Sequence, residues 1–132
     1  MKKKRILIVD DDRELTELVR HRLNHEGYET MSAFCGEEGL TKAKGSQPDL
    51  IILDILMDDM DGYEVTRRLK SDIETCAIPI LILSVRQGLD DRLTALFLGA
   101  MEFLPKPYDP YRLVSAVRHI LREEKLSKKE ET

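Results

Sequence analysis

Asp10, Asp11, Asp12, Asp54, Ser84 and Lys106 are the residues whose types could do chemistry together. Asp10 to Asp12 follow the apolar run Ile6-Leu7-Ile8-Val9, and Asp54 follows Leu50-Ile51-Ile52-Leu53. Ser84 follows Ile80-Leu81-Ile82-Leu83, and Lys106 stands just past Met101 to Leu104. In open α/β sheets a ligand site lies beyond the carboxyl ends of the strands. If these runs are strands of one sheet, they deliver carboxylates, a hydroxyl and an ammonium to one end of it. Carboxylates crowded within a few ångströms repel, which destabilises the fold unless a cation binds or a proton is retained. Mg²⁺ suits such a set, because it takes one or two carboxylates and completes its shell with water and phosphate. With a mobile lysine charge and a serine donor added, the set suits a phosphoryl group in transfer, where catalysis is mostly positioning and charge stabilisation. Aspartate is a competent nucleophile in that chemistry. Singly, each residue has a plainer reading: the Asp triplet as a turn and helix cap, Ser84 as a strand end, Lys106 as a solvated charge. Their joint placement favours the chemical one.

The elements that must position them read as five β-α units. After the first run, Asp12 caps a helix in which Leu15, Leu18, Val19 and Leu23 share a face, and Gly27 closes it. Tyr28 to Ser32 reads as a second strand and Gly36 to Ala43 as a short helix. A helix with Val65, Leu69 and Ile73 follows the Asp-rich loop after Asp54. Leu89, Leu93 and Leu96 mark one side of the next helix, which stops near Gly99; Phe97 and Leu98 near its end could form an apolar patch for a partner or a dimer, with buried packing the simpler reading. Asp109-Pro110 opens the last helix, whose buried stripe is Leu113, Val114, Val117 and Leu121. Strict alternation implies a parallel sheet with right-handed crossovers and helices on both faces, a doubly wound α/β fold.

Composition narrows the class. The 132 residues fit one domain, read as 1–122 with 123–132 a charged tail or the start of a linker. A net charge of −4 argues against a nucleic-acid-binding surface over the whole domain. Cys35 and Cys76 lack metal or redox spacing and read as incidental thiols. The basic start, Met1 to Arg5, is followed by only four apolar residues, too few for a signal peptide, and no stretch approaches a membrane span. A cytoplasmic protein without membrane contact is expected. His21 and His25 stand four apart but face away from the aspartates and have no glutamate between them; they and His119 read as solvated rather than as zinc or phospho-relay residues. The run Arg122 to Glu131, mixed in sign, reads as a solvated face.

Four stretches together resemble the receiver domains of two-component response regulators, the family of the chemotaxis regulator, over about residues 5 to 122. They are Ile6 to Asp12, Asp54 to Gly62, Ile80 to Ser84, and Gly99-Ala100 through Phe103-Leu104-Pro105-Lys106-Pro107. The resemblance implies a flavodoxin-like five-stranded sheet in the order 2-1-3-4-5. It makes Asp54 the phospho-acceptor, and Asp10, Asp11, Asp54 and the main-chain carbonyl of Leu56 the ligands of Mg²⁺. Ser84 would hydrogen-bond a phosphoryl oxygen, Lys106 would pair with it, and Phe103 would be a switch residue following Ser84. The Lys106-Pro107 bond is expected to be cis on the resemblance alone. A histidine kinase or phosphotransfer protein would supply the phosphoryl group. The output would be binding, to an effector domain or a downstream protein; the resemblance also admits a homodimer through the fourth and fifth helices. Direct contact with nucleic acid is not expected. Such a domain is no enzyme toward other substrates and catalyses only its own phosphorylation and dephosphorylation.

Three positions depart from the family's usual pattern. Asp58 replaces the common proline, loosening the loop and adding charge near the metal. Val85 replaces a small residue and narrows access to Asp54. Leu56, with Arg86, is expected to set the dephosphorylation rate. Competing readings fit less well. An aspartate-nucleophile phosphate-ester hydrolase wants a second carboxylate where Leu56 stands, and a flavin carrier would place its phosphate beside three aspartates. A phosphorylation-independent interaction module leaves the intact site residues without a purpose.

Overall fold

A computed structural model describes residues 2–130, with side chains described to Arg122. Residues 131 and 132, and the side chains of the charged run read as a solvated face or linker, lie outside that description. Ten elements alternate strictly: β1 Arg5–Val9, α1 Arg13–His25, β2 Glu29–Ala33, α2 Gly36–Ser46, β3 Leu50–Leu53, α3 Gly62–Ser71, β4 Ile80–Ser84, α4 Leu89–Phe97, β5 Glu102–Pro105 and α5 Pro110–Glu130. The sheet is parallel throughout, in the order β2-β1-β3-β4-β5. Among the described residues no helix is long and apolar enough to cross a membrane.

The uninterrupted apolar runs have a direct cause. Successive strand side chains point to opposite faces, and both faces are covered. Leu7, Val9, Ile51, Leu53, Ile80, Ile82 and Phe103 pack in one layer with Val65 and Leu69 of α3 and Ala95 of α4. Ile6, Ile8, Leu50, Ile52, Leu81, Leu83 and Leu104 pack in the other with Val19 and Leu23 of α1 and Leu113, Val117 and Leu121 of α5. β2, at the edge, is only half-buried over most of its length, which is why its signal in the sequence is weaker.

The expected helix signals are present. Asp12 accepts a hydrogen bond from the Leu15 amide at 3.1 Å, Gly27 takes φ +97°, and Asp109 caps α5 through the Tyr111 amide at 2.9 Å. Apolar spacing and burial part company in four places, and Phe97 is not buried as the simpler reading had it. Leu18 is exposed, so the buried stripe of α1 is Thr16, Val19 and Leu23. Ile73 lies past the end of α3 and is 91% exposed. Leu89, Leu93 and Leu96 do share one side of α4, but that side faces solvent, and Phe97 beside them is 90% exposed. α4 meets the sheet through the small Ala95 instead. α2 also runs three residues beyond the expected Ala43, to a left-handed cap at Gln47.

Candidate functional site

The register brings the site together. Val9 pairs with Leu53, Leu53 with Ile82, and Ile82 with Phe103, so β1, β3, β4 and β5 end nearly level. Asp10 and Asp54 leave adjacent strands one residue past paired positions, and the Lys106 amide donates to the Ser84 carbonyl at 3.0 Å. Asp10 and Asp54 are both almost fully buried.

Lys106 joins the two carboxylates. Its Nζ lies 2.8 Å from Asp10 Oδ2 and 3.1 Å from Asp54 Oδ2. The other oxygen of each carboxylate accepts a backbone amide: Asp12 N to Asp10 Oδ1 at 3.0 Å, and Leu56 N to Asp54 Oδ1 at 3.3 Å. Asp10, Asp11 and Asp54 each offer an oxygen, and these atoms lie within 4.8 Å of one another, the one such group among the described residues. A set of hard oxygen donors, partly buried and with an outer member open to water, fits Mg²⁺ better than a softer metal.

The electrostatics match a site short of positive charge. Burial raises the pKa of Asp10 and outweighs its hydrogen bond to Lys106, with the neighbouring charge of Asp54 adding to the rise. Burial also raises Asp11, reinforced by the charges of Asp10 and Asp58. For Lys106, burial pulls the pKa down, but its bonds and attraction to Asp10 and Asp54 prevail and raise it. The ammonium therefore stays charged, and it is one cation against three carboxylates. Asp58 belongs to this field, in line with the charge expected from the residue replacing proline.

Ser84 is fully buried, and its Oγ accepts a hydrogen bond from the Arg86 amide at 3.2 Å. Phe103 is buried in the layer that holds Ile82, with the Arg92 guanidinium 5.8 Å from its ring centroid. The Leu56 side chain is 44% exposed, as is fitting for a residue at the rim, and Val85 is exposed as well. The Lys106-Pro107 bond is cis.

Two supporting residues escaped the sequence reading. The carboxylate of Asp59 reaches α2, accepting from Gly36 N at 2.9 Å and Glu37 N at 3.1 Å. It supplies the cap that Cys35, at the N-cap position of that helix, does not, and these bonds lower its pKa. Its partners lie 22 and 23 residues away, so no local pattern could signal the contact. Gly62 opens α3 directly under the end of β3, where a Cβ would stand 2.4 Å from the Asp54 carbonyl oxygen. Its signal was present, as Asp61-Gly62 combines a cap with a residue that permits close approach, and Asp61 does accept from Glu64 N at 2.9 Å.

Comparison with known proteins gives a consistent result. The family model described as "Response regulator receiver domain" matches residues 6–118. The alkaline phosphatase synthesis transcriptional regulatory protein PhoP of Bacillus subtilis is 36% identical over 124 residues, covering 94% of this chain and 51% of PhoP. The response regulator MprA of Mycobacterium ulcerans is 39% identical over 122 residues, 92% of this chain and 52% of MprA. The chain thus spans about half the length of these curated relatives. A CheY-like response regulator receiver domain protein from Methanospirillum hungatei superposes with a TM-score of 0.89 at 28% identity, covering 96% of this chain and 99% of that one.

Proposed function

From the premise that this chain belongs to the response regulator receiver domains of two-component signalling, we propose that Asp54 is the residue that accepts the phosphoryl group. The observation that carries the assignment is the bridge of Lys106 between Asp54 and Asp10, at the level where three carboxylates converge. Asp10, Asp11 and Asp54 would hold Mg²⁺ together with the main-chain carbonyl of Leu56; when bound, the ion neutralises charge between these carboxylates and the phosphoryl oxygens.

A carboxylate oxygen of Asp54 forms the new P–O bond as the P–N bond of a donor phosphohistidine breaks, and the imidazole departs. Lys106 stays with the site and pairs with a phosphoryl oxygen, stabilising charge where it develops. The Ser84 hydroxyl exchanges the Arg86 amide for a phosphoryl oxygen, to which it donates. The product is an aspartyl-phosphate with about two negative charges, which biases the domain toward whichever arrangement accommodates them. A role for Phe103 in following Ser84 rests on the family pattern, and its ring is already buried in this structure.

The donor is a histidine kinase or phosphotransfer protein, and the receiver of the signal is an attached effector domain or a separate protein. The relatives' names as transcriptional regulators favour the former, with any DNA contact made outside this domain.

Intact-protein mass after incubation with acetyl phosphate and Mg²⁺ tests the assignment. One added phosphoryl mass that requires Mg²⁺ and is lost in Asp54→Ala is expected. An adduct that survives in Asp54→Ala would refute it.

A further inference from the structure

The side chain two residues beyond Ser84 is engaged away from the phosphorylation site. Arg86 Nη2 lies 2.8 Å from Asp91 Oδ1, at the start of α4. The Tyr63 hydroxyl of α3 donates to that same oxygen at 2.6 Å, and the Arg86 guanidinium lies 5.9 Å from the Tyr63 ring centroid. One carboxylate oxygen thus ties the β4–α4 loop to both α3 and α4. The Asp91 side chain is mostly covered while that of Arg86 is half exposed, so the pair is less screened than a surface bridge yet free to part. The main chain of Arg86, meanwhile, occupies the Ser84 hydroxyl.

A phosphoryl group on Asp54 would offer this arginine a better partner. It carries about two negative charges and three acceptor oxygens, and guanidinium binds phosphate in a planar, two-pronged fashion that it makes with a single carboxylate oxygen only in part. β4 is the neighbour of β3, with Ile82 paired to Leu53, so Leu83 is level with Asp54 and Arg86 follows three residues on, in the loop past that strand end. When Ser84 turns from the Arg86 amide to the phosphoryl group, the loop that carries Arg86 is released at the same moment.

We propose that Asp91 and Tyr63 form a latch that holds Arg86 off the site, and that Arg86 transfers from Asp91 to the phosphoryl group when Asp54 is phosphorylated. The transfer unties the first turn of α4 from α3, and with it the apolar ridge of Leu89, Leu93, Leu96 and Phe97 that α4 turns to solvent. This inference rests on the assignment of Asp54 and adds to it a phosphoryl-binding residue and the two residues that position it.

The test compares wild type, Asp91→Asn, Arg86→Ala and the double variant. Each is phosphorylated with acetyl phosphate and Mg²⁺, freed of donor, and followed by intact mass as the aspartyl-phosphate decays. With Asp91 neutralised the arginine is free for the phosphoryl group, so Asp91→Asn should slow decay about threefold to tenfold, the range expected for one partly covered ion pair. Arg86→Ala should speed it, and the double variant should match Arg86→Ala, because Asp91 acts only through that side chain. Tyr63 supplies a second readout. Burial and the hydrogen bond to Asp91 push its pKa up to about 12, and phenolate absorbance, assigned with Tyr63→Phe, should show it falling toward the ordinary value in Asp91→Asn. Decay of Asp91→Asn at the wild-type rate, or an effect of Asp91→Asn that persists without Arg86, overturns the latch alone. Absence of any adduct on wild type overturns the assignment of Asp54 and the latch with it.

Discussion

Replacing Gly62 by alanine should destabilise the protein far more than its single methyl suggests, while the same change at Gly45 should do the opposite. At Gly62 the added Cβ would stand 2.4 Å from the Asp54 carbonyl oxygen, 2.7 Å from Ile55 Cα and 2.9 Å from the Asp54 carbonyl carbon. All three are backbone atoms of the segment that presents Asp54, so no flexible side chain can yield. To clear even 3.0 Å, the separation real Cβ atoms essentially never undercut, the helix and that segment must part by about 0.6 Å. That movement lengthens the bond from Gly62 N to the Ile55 carbonyl, now 2.7 Å. Overpacking of this kind costs about 1–3 kcal/mol and a weakened buried hydrogen bond about 1 kcal/mol more, against a gain of under ~1 kcal/mol in helix propensity. The net is a loss of about 1–3 kcal/mol, or about 4–12 °C in Tm for a chain of this length. Gly45 lies in the last turn of α2 with nothing within 4 Å of its Cβ position. Alanine there gains about 0.5–1 kcal/mol, a rise of about 2–4 °C. Thermal and urea unfolding followed by circular dichroism measures both. Labelling of Gly62→Ala by acetyl phosphate should also slow, since Asp54 moves with its carbonyl. A Gly62→Ala protein within 0.5 kcal/mol of wild type would show that the segment gives way freely, and the argument that α3 fixes Asp54 would fall.

Three further outcomes are expected. Burial raises the folded-state pKa of Asp10, so in metal-free protein the folded state binds its proton more readily than the unfolded state does, and that stability is lost as pH rises through the folded pKa. Relative to Asp10→Asn, metal-free wild type should therefore gain stability on acidification below neutrality, and a constant difference in Tm across pH 7 to 4 would contradict it. Asp59→Ala removes the cap that α2 receives from a distant loop and should cost about 1 kcal/mol in urea unfolding; no change would mean that water replaces the carboxylate. Val85→Ala, which shortens the exposed branched side chain after Ser84, should speed labelling by acetyl phosphate, and an unchanged rate would refute Val85 as a barrier.

Much of this was legible in the sequence because the covering of the sheet is legible. β1, β3 and β4 are apolar at every central position since both faces are buried, and the first polar residue after each run had to lie at the strand end, where ligands bind. What covers α4 was not legible, for a reason of the same kind. Helical spacing identified Leu89, Leu93 and Leu96 as one side of a helix, but periodicity cannot say what covers that side. Here the sheet is met by Ala95, whose small side chain leaves no signal beside four large ones, and the large ones face solvent. The contact of Arg86 with Asp91 and Tyr63 was invisible for the opposite reason. Their contact joins a loop to two helices, and its longest span in sequence is 28 residues, beyond any local pattern.

The alternation of strand side chains also separates what the site does from what it can transmit. Asp10, Asp54 and Lys106 continue the parity of Ile8, Ile52 and Leu104, whose layer packs on α1 and α5. Ser84 continues the parity of Ile82, in the layer with Phe103, Tyr63 and the buried side of α4. A charge added at Asp54, as proposed, would therefore appear over one layer, while Ser84 is rooted in the other. Ser84 is placed to connect them: its oxygen accepts from the Arg86 amide here, and in the proposed switch it turns to an acceptor above Asp54. A close-packed interior does not deform by fractions, so the exchange is between two arrangements. In the proposed switch the second costs the contacts of Arg86 with Asp91, which the new acceptor must replace.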